Sequence, residues 1–306
     1  MRSHRILIGL IAVVLLCGTS ASQAAPSGGG ARPAAMGGAY LALSEGVDGV
    51  WYNPSGMAGF EGAAIQLSYA MLYPGLGDDL AIGTAAGVIS LGTLGNLGVG
   101  VSMLNCDLKE KVGEGIGTNT WKDQTLLGCY SRGFGSLSLG ASFKMMMWDA
   151  EGRYGAGVSK TSVTLDAGGM YRLGGMFGAE GIRLGVLVSN LMPANISESG
   201  DDGGKLPLGI GLGAAMERGN TLTSVDLHIV GGDLELRGGV EVQTAGLWLR
   251  LGGLGIANAE DMPKGEVDFG VGLALVGLQV DYAYIYPLLS ERELGGHQFF
   301  TLGYKF

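Results

Sequence analysis

The sequence predicts an all-β fold: a transmembrane antiparallel β-barrel of about fourteen strands over residues 62–306. Three observations carry that expectation. Segments of about ten residues, the length of a tilted spanning strand, alternate strictly between apolar and small or polar side chains. The connections between these segments alternate between long and short. The chain ends on an aromatic residue, with apolar side chains behind it at every second position.

Residues 1–25 read as a secretory signal peptide. Arg2 and Arg5 precede an apolar run from Ile6 to Leu16, and small residues lead to Ser22-Gln23-Ala24-Ala25, with cleavage expected after Ala24 or Ala25. Cys17 suggests a lipidated thiol, but Leu16 stands where a lipoprotein signal needs a small residue. The run is shorter than the roughly 20 apolar residues of a spanning helix. No later segment supplies one, so membrane integration has to use strands. Composition agrees: Gly makes up 59 of 306 residues, and each Gly inside a helix costs about 1 kcal/mol relative to Ala. Gly suits strands that bend or that must carry small side chains inside a closed barrel. A net charge of −9 argues against a nucleic-acid partner.

Residues 31–60 do not alternate. Small residues dominate, Asn53-Pro54 marks a turn, and Gly56 and Gly59 permit close backbone approach. Arg32, Met36-Gly37-Gly38-Ala39 and Asn53-Pro54-Ser55-Gly56 resemble the start of the mature outer-membrane proteins of the PorV/PorQ group and of the related FadL-like long-chain fatty-acid transporters. Those families share Arg, Met-Gly-Gly-Ala, a short Ala-Asp-rich helix and Asn-Pro-Ala-Gly. Here Ser55 replaces the usual Ala, and Glu45-Gly46-Val47-Asp48 stands in the Asp-rich stretch. The resemblance implies that residues 26–61 fold into the lumen as an N-terminal hatch of short helices and loops, and that the barrel has fourteen strands. In length the chain is closer to the PorV/PorQ group.

The strands are expected at 62–73, 79–90, 95–106, 121–132, 136–148, 161–172, 182–191, 206–217, 220–229, 233–243, 246–256, 265–276, 278–286 and 296–306. In 265–276, Val267, Phe269, Val271, Leu273 and Leu275 oppose Glu266, Asp268, Gly270, Gly272 and Ala274. Long polar connections follow most odd strands, such as Asp107–Thr120, Asp149–Lys160 and Met192–Lys205, and short ones follow most even strands. Barrels with both termini periplasmic show this parity. Short odd connections at 74–77 and 230–232 leave twelve or thirteen strands open. Tyr69, Tyr73, Tyr282, Tyr284, Tyr286, Phe300, Tyr304 and Phe306 lie on apolar faces, as an interfacial girdle or as ordinary β-formers. Phe300, Leu302, Tyr304 and Phe306 form the C-terminal insertion signal, which the barrel-assembly machinery recognises in proteins that this ending resembles, while Thr301 and Lys305 face the lumen.

The inward faces carry Lys144, Asp166, Arg172, Arg183, Asp226, His228, Glu235, Arg237, Glu241, Arg250, Glu266, Asp268 and Asp281. Arg183, Arg237 or Arg250 could meet a substrate carboxylate or the hatch acids Glu45 and Asp48, since Arg suits bidentate carboxylate recognition. Ion pairing between neighbouring strands is the favoured alternative, being routine in sheets. Cys106 and Cys129 could face each other across one hairpin as a disulfide, or stand as two separate thiols. No Gly-x-Ser-x-Gly motif, nucleophile–His arrangement or metal-ligand spacing is present, so an enzyme, a metal and a cofactor are not expected. The expected location is the outer membrane, with its lipid as a partner. Two functions follow. One is passage of hydrophobic, fatty-acid-like molecules through the lumen and out by a lateral opening, with Met36, Tyr40, Leu41, Leu43, Val50, Trp51, Tyr52, Met57 and Phe60 lining the route and an apolar groove near Leu288 and Leu289. The other is a non-transporting scaffold or shuttle in protein export, with the lumen filled and the external loops binding partner proteins.

Overall fold

In the computed structural model, fourteen antiparallel strands each pair with their neighbours in chain order, and the last closes on the first. The structure describes residues 29–74, 80–112, 115–152, 155–175, 179–195, 205–257, 264–288 and 295–306; the expected signal peptide lies outside them. The strands are β1 (Ala63–Met71), β2 (Ala81–Ser90), β3 (Asn96–Val112), β4 (Gly115–Phe134), β5 (Leu137–Gly152), β6 (Gly155–Leu173) and β7 (Gly181–Ser189), then β8 (Gly209–Arg218), β9 (Thr221–Val230), β10 (Asp233–Thr244), β11 (Leu247–Ala257), β12 (Lys264–Leu275), β13 (Leu278–Pro287) and β14 (His297–Lys305). The connections that left twelve or thirteen strands open do not remove a strand: Gly231 and Gly232 make a two-residue turn with positive φ at both positions.

Alternation decides which way each face points. Ile65, Leu67 and Tyr69 of β1 are exposed on the outside, as are Phe300, Leu302 and Tyr304 of β14 and Phe306 beyond it. An apolar band of this extent is solvated only by lipid. Alternate residues point inward: Ser68 and Thr301 are buried and share a hydroxyl contact of 2.9 Å across the closing seam. That seam runs from Ala64↔Lys305 to Met71↔Gln298 and joins the terminal strand to the first.

Several boundaries differ from expectation. Asp107–Thr120 and Asp149–Lys160, expected as loops, belong largely to strands. The β3–β4 ladder continues to Val112↔Gly115, and the β5–β6 ladder to Gly152↔Gly155 through an irregularity at Ala150. Backbone rungs form wherever a partner strand runs alongside, so the onset of polarity marks the edge of the apolar band and not the end of the ladder. β8 begins at Gly209, not residue 206, because Pro207 has no N–H for the ladder. Tyr73 lies beyond β1 at φ +47° and packs edge-on to His297, 4.3 Å between centroids, so it is not part of the outer face of β1. Cys106 pairs with Trp121 and Cys129 with Gly98, far apart along the hairpin, and Cys129 is a free, buried thiol. Of the two alternatives the register removes the facing pair and its disulfide; short-range sequence spacing does not reveal register.

Candidate functional site

The N-terminal segment lies inside the barrel and meets strands around most of its circumference. Helix α1 (Ala31–Ala35) packs on β11–β14, the 3-10 turn Gly46–Val50 on β1–β4, and the 3-10 turn Pro54–Gly59 on β3–β6. The path follows from local chemistry. Gly37 and Gly38 both take left-handed φ, 67° and 68°, and end α1, with the Gly38 N–H donating to the Pro33 carbonyl at 3.0 Å. Asn53 caps the second 3-10 turn: its Oδ1 accepts from the Ser55 N–H at 3.2 Å and from the Ser55 hydroxyl at 2.7 Å, and Pro54 fills the first position. The serine that departs from the family pattern thus strengthens the cap.

The wall meets the segment through glycine. A Cβ on Gly140, Gly185, Gly239 or Gly252 would come within 3.0 Å of backbone atoms at Ser55, Leu41, Met36 and Gly37 respectively. Gly37 itself lies against the backbone of Gly238 and Gly253. Any larger residue on these faces overlaps the segment, which gives part of the glycine content a physical cause.

Polar anchors fix the segment at a few points. Asp226 of β9 accepts both the Tyr40 N–H (2.6 Å) and the Leu41 N–H (2.8 Å) on one oxygen. Asn53 Nδ2 donates to the carbonyls of Leu41 (2.9 Å), Gly169 (3.3 Å) and Val186 (3.4 Å), joining the two halves of the segment to β6 and β7. Asn96 Nδ2 donates to the carbonyls of Met57 and, at 2.9 Å, Phe60. Arg32 grips Glu241 bidentately at 2.8 and 2.9 Å. Glu241 also receives Arg250 Nε at 2.5 Å, and Arg250 donates to Asp281 at 2.7 Å. Glu45, half-exposed, pairs with Arg183 at 2.6 Å and Arg172 at 3.6 Å.

The expected lumen residues therefore divide. Arg183 does meet the acid Glu45 of the segment. Arg237 instead pairs with Glu235 on its own strand at 2.5 Å, and Arg250 with wall carboxylates, the strand-to-strand alternative. Asp48 meets no arginine in direct contact; it accepts from the Tyr40 hydroxyl at 3.0 Å and Gln66 Nε2 at 3.1 Å. Burial raises its pKa above the ordinary carboxylate value, against the pull of Arg32 and these two donors. The anchoring roles of Asp226 and Asn96 were not anticipated. The one signal for Asp226 was a carboxylate on the polar face of an otherwise apolar strand; Asn96 carried none.

Space remains on both sides of the segment. Toward the long hairpins a vestibule of about 370 Å³ has Leu41, Val50, Trp51 and Tyr52 as its floor and Leu127, Met146 and Leu187 in its apolar wall. Lys144 and Arg237 also line it, each already ion-paired, with Asp166 (3.0 Å) and Glu235. Toward the tight turns, smaller cavities of about 220 and 280 Å³ are bounded by Asp48, Glu45, Phe60, Arg172 and Lys305. Of the apolar residues expected to line a route, only Leu41, Val50, Trp51 and Tyr52 face the vestibule. Met36, Tyr40, Leu43 and Met57 are buried as packing, and Phe60 faces the opposite side, its ring 4.9 Å from Lys305 Nζ. Leu288 is exposed and stands apart from the vestibule lining; Leu289 lies outside the described residues.

The fold is similar to that of CymD, a monoaromatic hydrocarbon channel (TM-score 0.66, 13% identity, 93% of this chain and 99% of that one). It is similar also to the P. putida toluene transporter TodX (0.65, 12%, 92% and 99%) and to a Pseudomonas aeruginosa FadL homologue (0.61, 14%, 94% and 100%). No family model and no curated protein sequence matches the chain. Identities this low show a shared fold, and function has to be argued from the site.

Proposed function

We propose that this protein is an outer-membrane channel for hydrophobic molecules, with residues 29–60 serving as its hatch. The observation that carries this is the vestibule: space with an apolar floor and a wall that mixes apolar side chains with internally paired charges, immediately above a segment that stands across the lumen. A scaffold with a filled lumen has no use for such a space. The similar folds of channels for monoaromatic hydrocarbons support the same reading.

The vestibule's charges favour neutral molecules over fatty acids. Both of its cations are held by wall carboxylates, so a substrate carboxylate would have to displace Asp166 or Glu235 and leave that group unpaired in a low-dielectric site, which is strongly unfavourable. The terminal Phe300, Leu302, Tyr304 and Phe306, exposed on the closing strand, fit an insertion signal read by the assembly machinery.

Deletion of the gene, with uptake of radiolabelled toluene and oleate compared in intact cells, tests the proposal. Toluene uptake should fall and oleate uptake should not. Unchanged uptake of both, with export proteins recovered in a pull-down, would replace the channel with the scaffold. Migration that does not change on heating, or recovery in the soluble periplasm, would overturn the outer-membrane barrel itself.

A further inference from the structure

The inward face of β8 carries a row of glycines beside the vestibule. Gly209, Gly211 and Gly213 pair with Ser189, Leu187 and Gly185 of β7 and with Val230, His228 and Asp226 of β9. Lacking side chains, these positions form a trough between two banks. Its lower end is taken by the hatch: a Cβ on Gly213 would lie 2.8 Å from Leu41 Cβ, and one on Gly211 2.6 Å from Leu41 Cδ1. At its upper end Ser189 and His228 lean over the glycines from opposite banks. A Cβ on Gly209 would overlap Ser189 Oγ, and one on Gly211 would lie 3.1 Å from His228 Nδ1.

Both side chains line the vestibule, and neither makes a hydrogen bond among the described residues. His228 Nε2 is turned toward Asp226, 3.7 Å from its carboxylate. Assigning the ring proton to Nε2, beside that carboxylate, leaves Nδ1 as an acceptor over the trough. The ionic groups nearby are already satisfied: Asp166 by Lys144 and the Ser142 hydroxyl, and Glu235 by Arg237. Ser189 and His228 are thus a convergent neutral pair, a hydroxyl that can donate and an imidazole that can accept.

We propose that this pair is a subsite for the hydroxyl of a phenol, which donates to His228 Nδ1 and accepts from Ser189 while its ring lies on the apolar floor. A few polar groups set among apolar walls give a ligand site its specificity. The space, about 370 Å³, is near the small end of the range for such sites, roughly 300–1,000 Å³, and suits a single ring. A phenol loses its proton only near pH 10, as the tyrosine side chain does, so it avoids the penalty that a carboxylate meets here. A pure hydrocarbon would cover both polar groups and offer them no partner, which is unfavourable. The inference rests on the channel reading above and narrows its substrate class.

The test compares p-cresol with toluene, which differ by one hydroxyl. Each radiolabelled compound is dialysed to equilibrium against the full-length protein in detergent, with protein-free micelles as the blank. An apolar space with no partner for the hydroxyl prefers toluene, because p-cresol has a polar group to desolvate. The native protein should instead bind p-cresol about tenfold more tightly, the effect of roughly one net hydrogen bond. Ser189→Ala and His228→Phe should each reduce or reverse that ratio. Thr125→Val, on β4 and outside the trough, should not change it. A general loss of shape lowers both ligands together, so the ratio separates recognition of the hydroxyl from folding. Native protein that binds toluene at least as tightly as p-cresol, or a ratio that survives both substitutions, would overturn the phenol subsite and leave the channel standing. Binding of neither compound above the blank would overturn both.

Discussion

Removing the carboxylate of Asp226 should release the hatch without dismantling the barrel. Asp226 is fully buried, and one of its oxygens accepts the backbone N–H groups of Tyr40 and Leu41 at 2.6 and 2.8 Å. A hydrogen bond to a charged group contributes about 1.5–3 kcal/mol. The two share one oxygen, so about 3 kcal/mol is a lower working value for the pair. Asp226→Ala leaves both donors buried and unpaired, whereas the backbone rungs of residue 226 to Gly213 and Arg237 are untouched. Amide hydrogen exchange at Tyr40 and Leu41, on protein in detergent, reads the local opening directly. A loss of about 3 kcal/mol corresponds to roughly 100-fold faster exchange at 1.4 kcal/mol per tenfold. Asp226→Asn keeps a neutral acceptor worth about 0.5–1.5 kcal/mol per bond and should fall between the two. Amides of β9 and β10 should keep their protection. Unchanged exchange at Tyr40 and Leu41 in Asp226→Ala would refute the anchor, and uniform loss across the strands would show that Asp226 holds the wall instead.

Gly252→Val should displace the segment, since even a Cβ there overlaps the backbone of Met36 and Gly37. Overpacking of this kind costs about 1–3 kcal/mol, and cells should become permeable to vancomycin while the barrel still shifts its migration on heating. Arg32→Ala should destabilise the seated hatch by about 1.5–3 kcal/mol with little dependence on salt, because its partner Glu241 is buried. Glu45→Ala should cost under about 1 kcal/mol, and added salt should erase the difference, because that pair is half-exposed; denaturant midpoints at two salt concentrations separate the cases. Asp48 has its pKa raised in the folded protein, so the folded state holds more protons than the unfolded one between the ordinary and the raised value. Stability of the seated hatch should therefore fall as pH rises through that window. Asp48→Asn should flatten the profile measured by exchange at pH 4–8, and an unchanged slope would remove Asp48 as its source.

The architecture was legible because a spanning strand must alternate over its whole length, so 265–276 or 234–243 could be placed without reference to anything else. What the alternation cannot carry is register. Cys106 and Cys129 lie on neighbouring strands, yet their facing depended on where the β3–β4 hairpin turns, and polarity misplaced that turn to 107–120. That residues 31–60 leave the strand pattern was legible from glycine, proline and asparagine, whose backbone constraints are local, while their place in the lumen was implied only by the resemblance. The anchors were not legible: Asp226 and Glu241 look like any lumen charge in sequence, and contacts spanning about two hundred residues in the chain leave no spacing to read.

The placement of the anchors bears on the direction of passage. A ligand can shift a conformational equilibrium only by as much as its affinity differs between the two states. A hydrophobic molecule in the vestibule touches Val50, Trp51 and Tyr52, while the hatch is held at Arg32–Glu241, at Asp226 and at Glu45–Arg183, none of which lines that space. Such a molecule makes its apolar contacts whether or not these anchors are intact, so it gains little by breaking them. Moving downward then means opening several charge-assisted contacts with no compensating interaction. On the channel reading the hatch is then a floor that such a molecule does not itself open, and a variant with an unseated hatch should leak polar solutes.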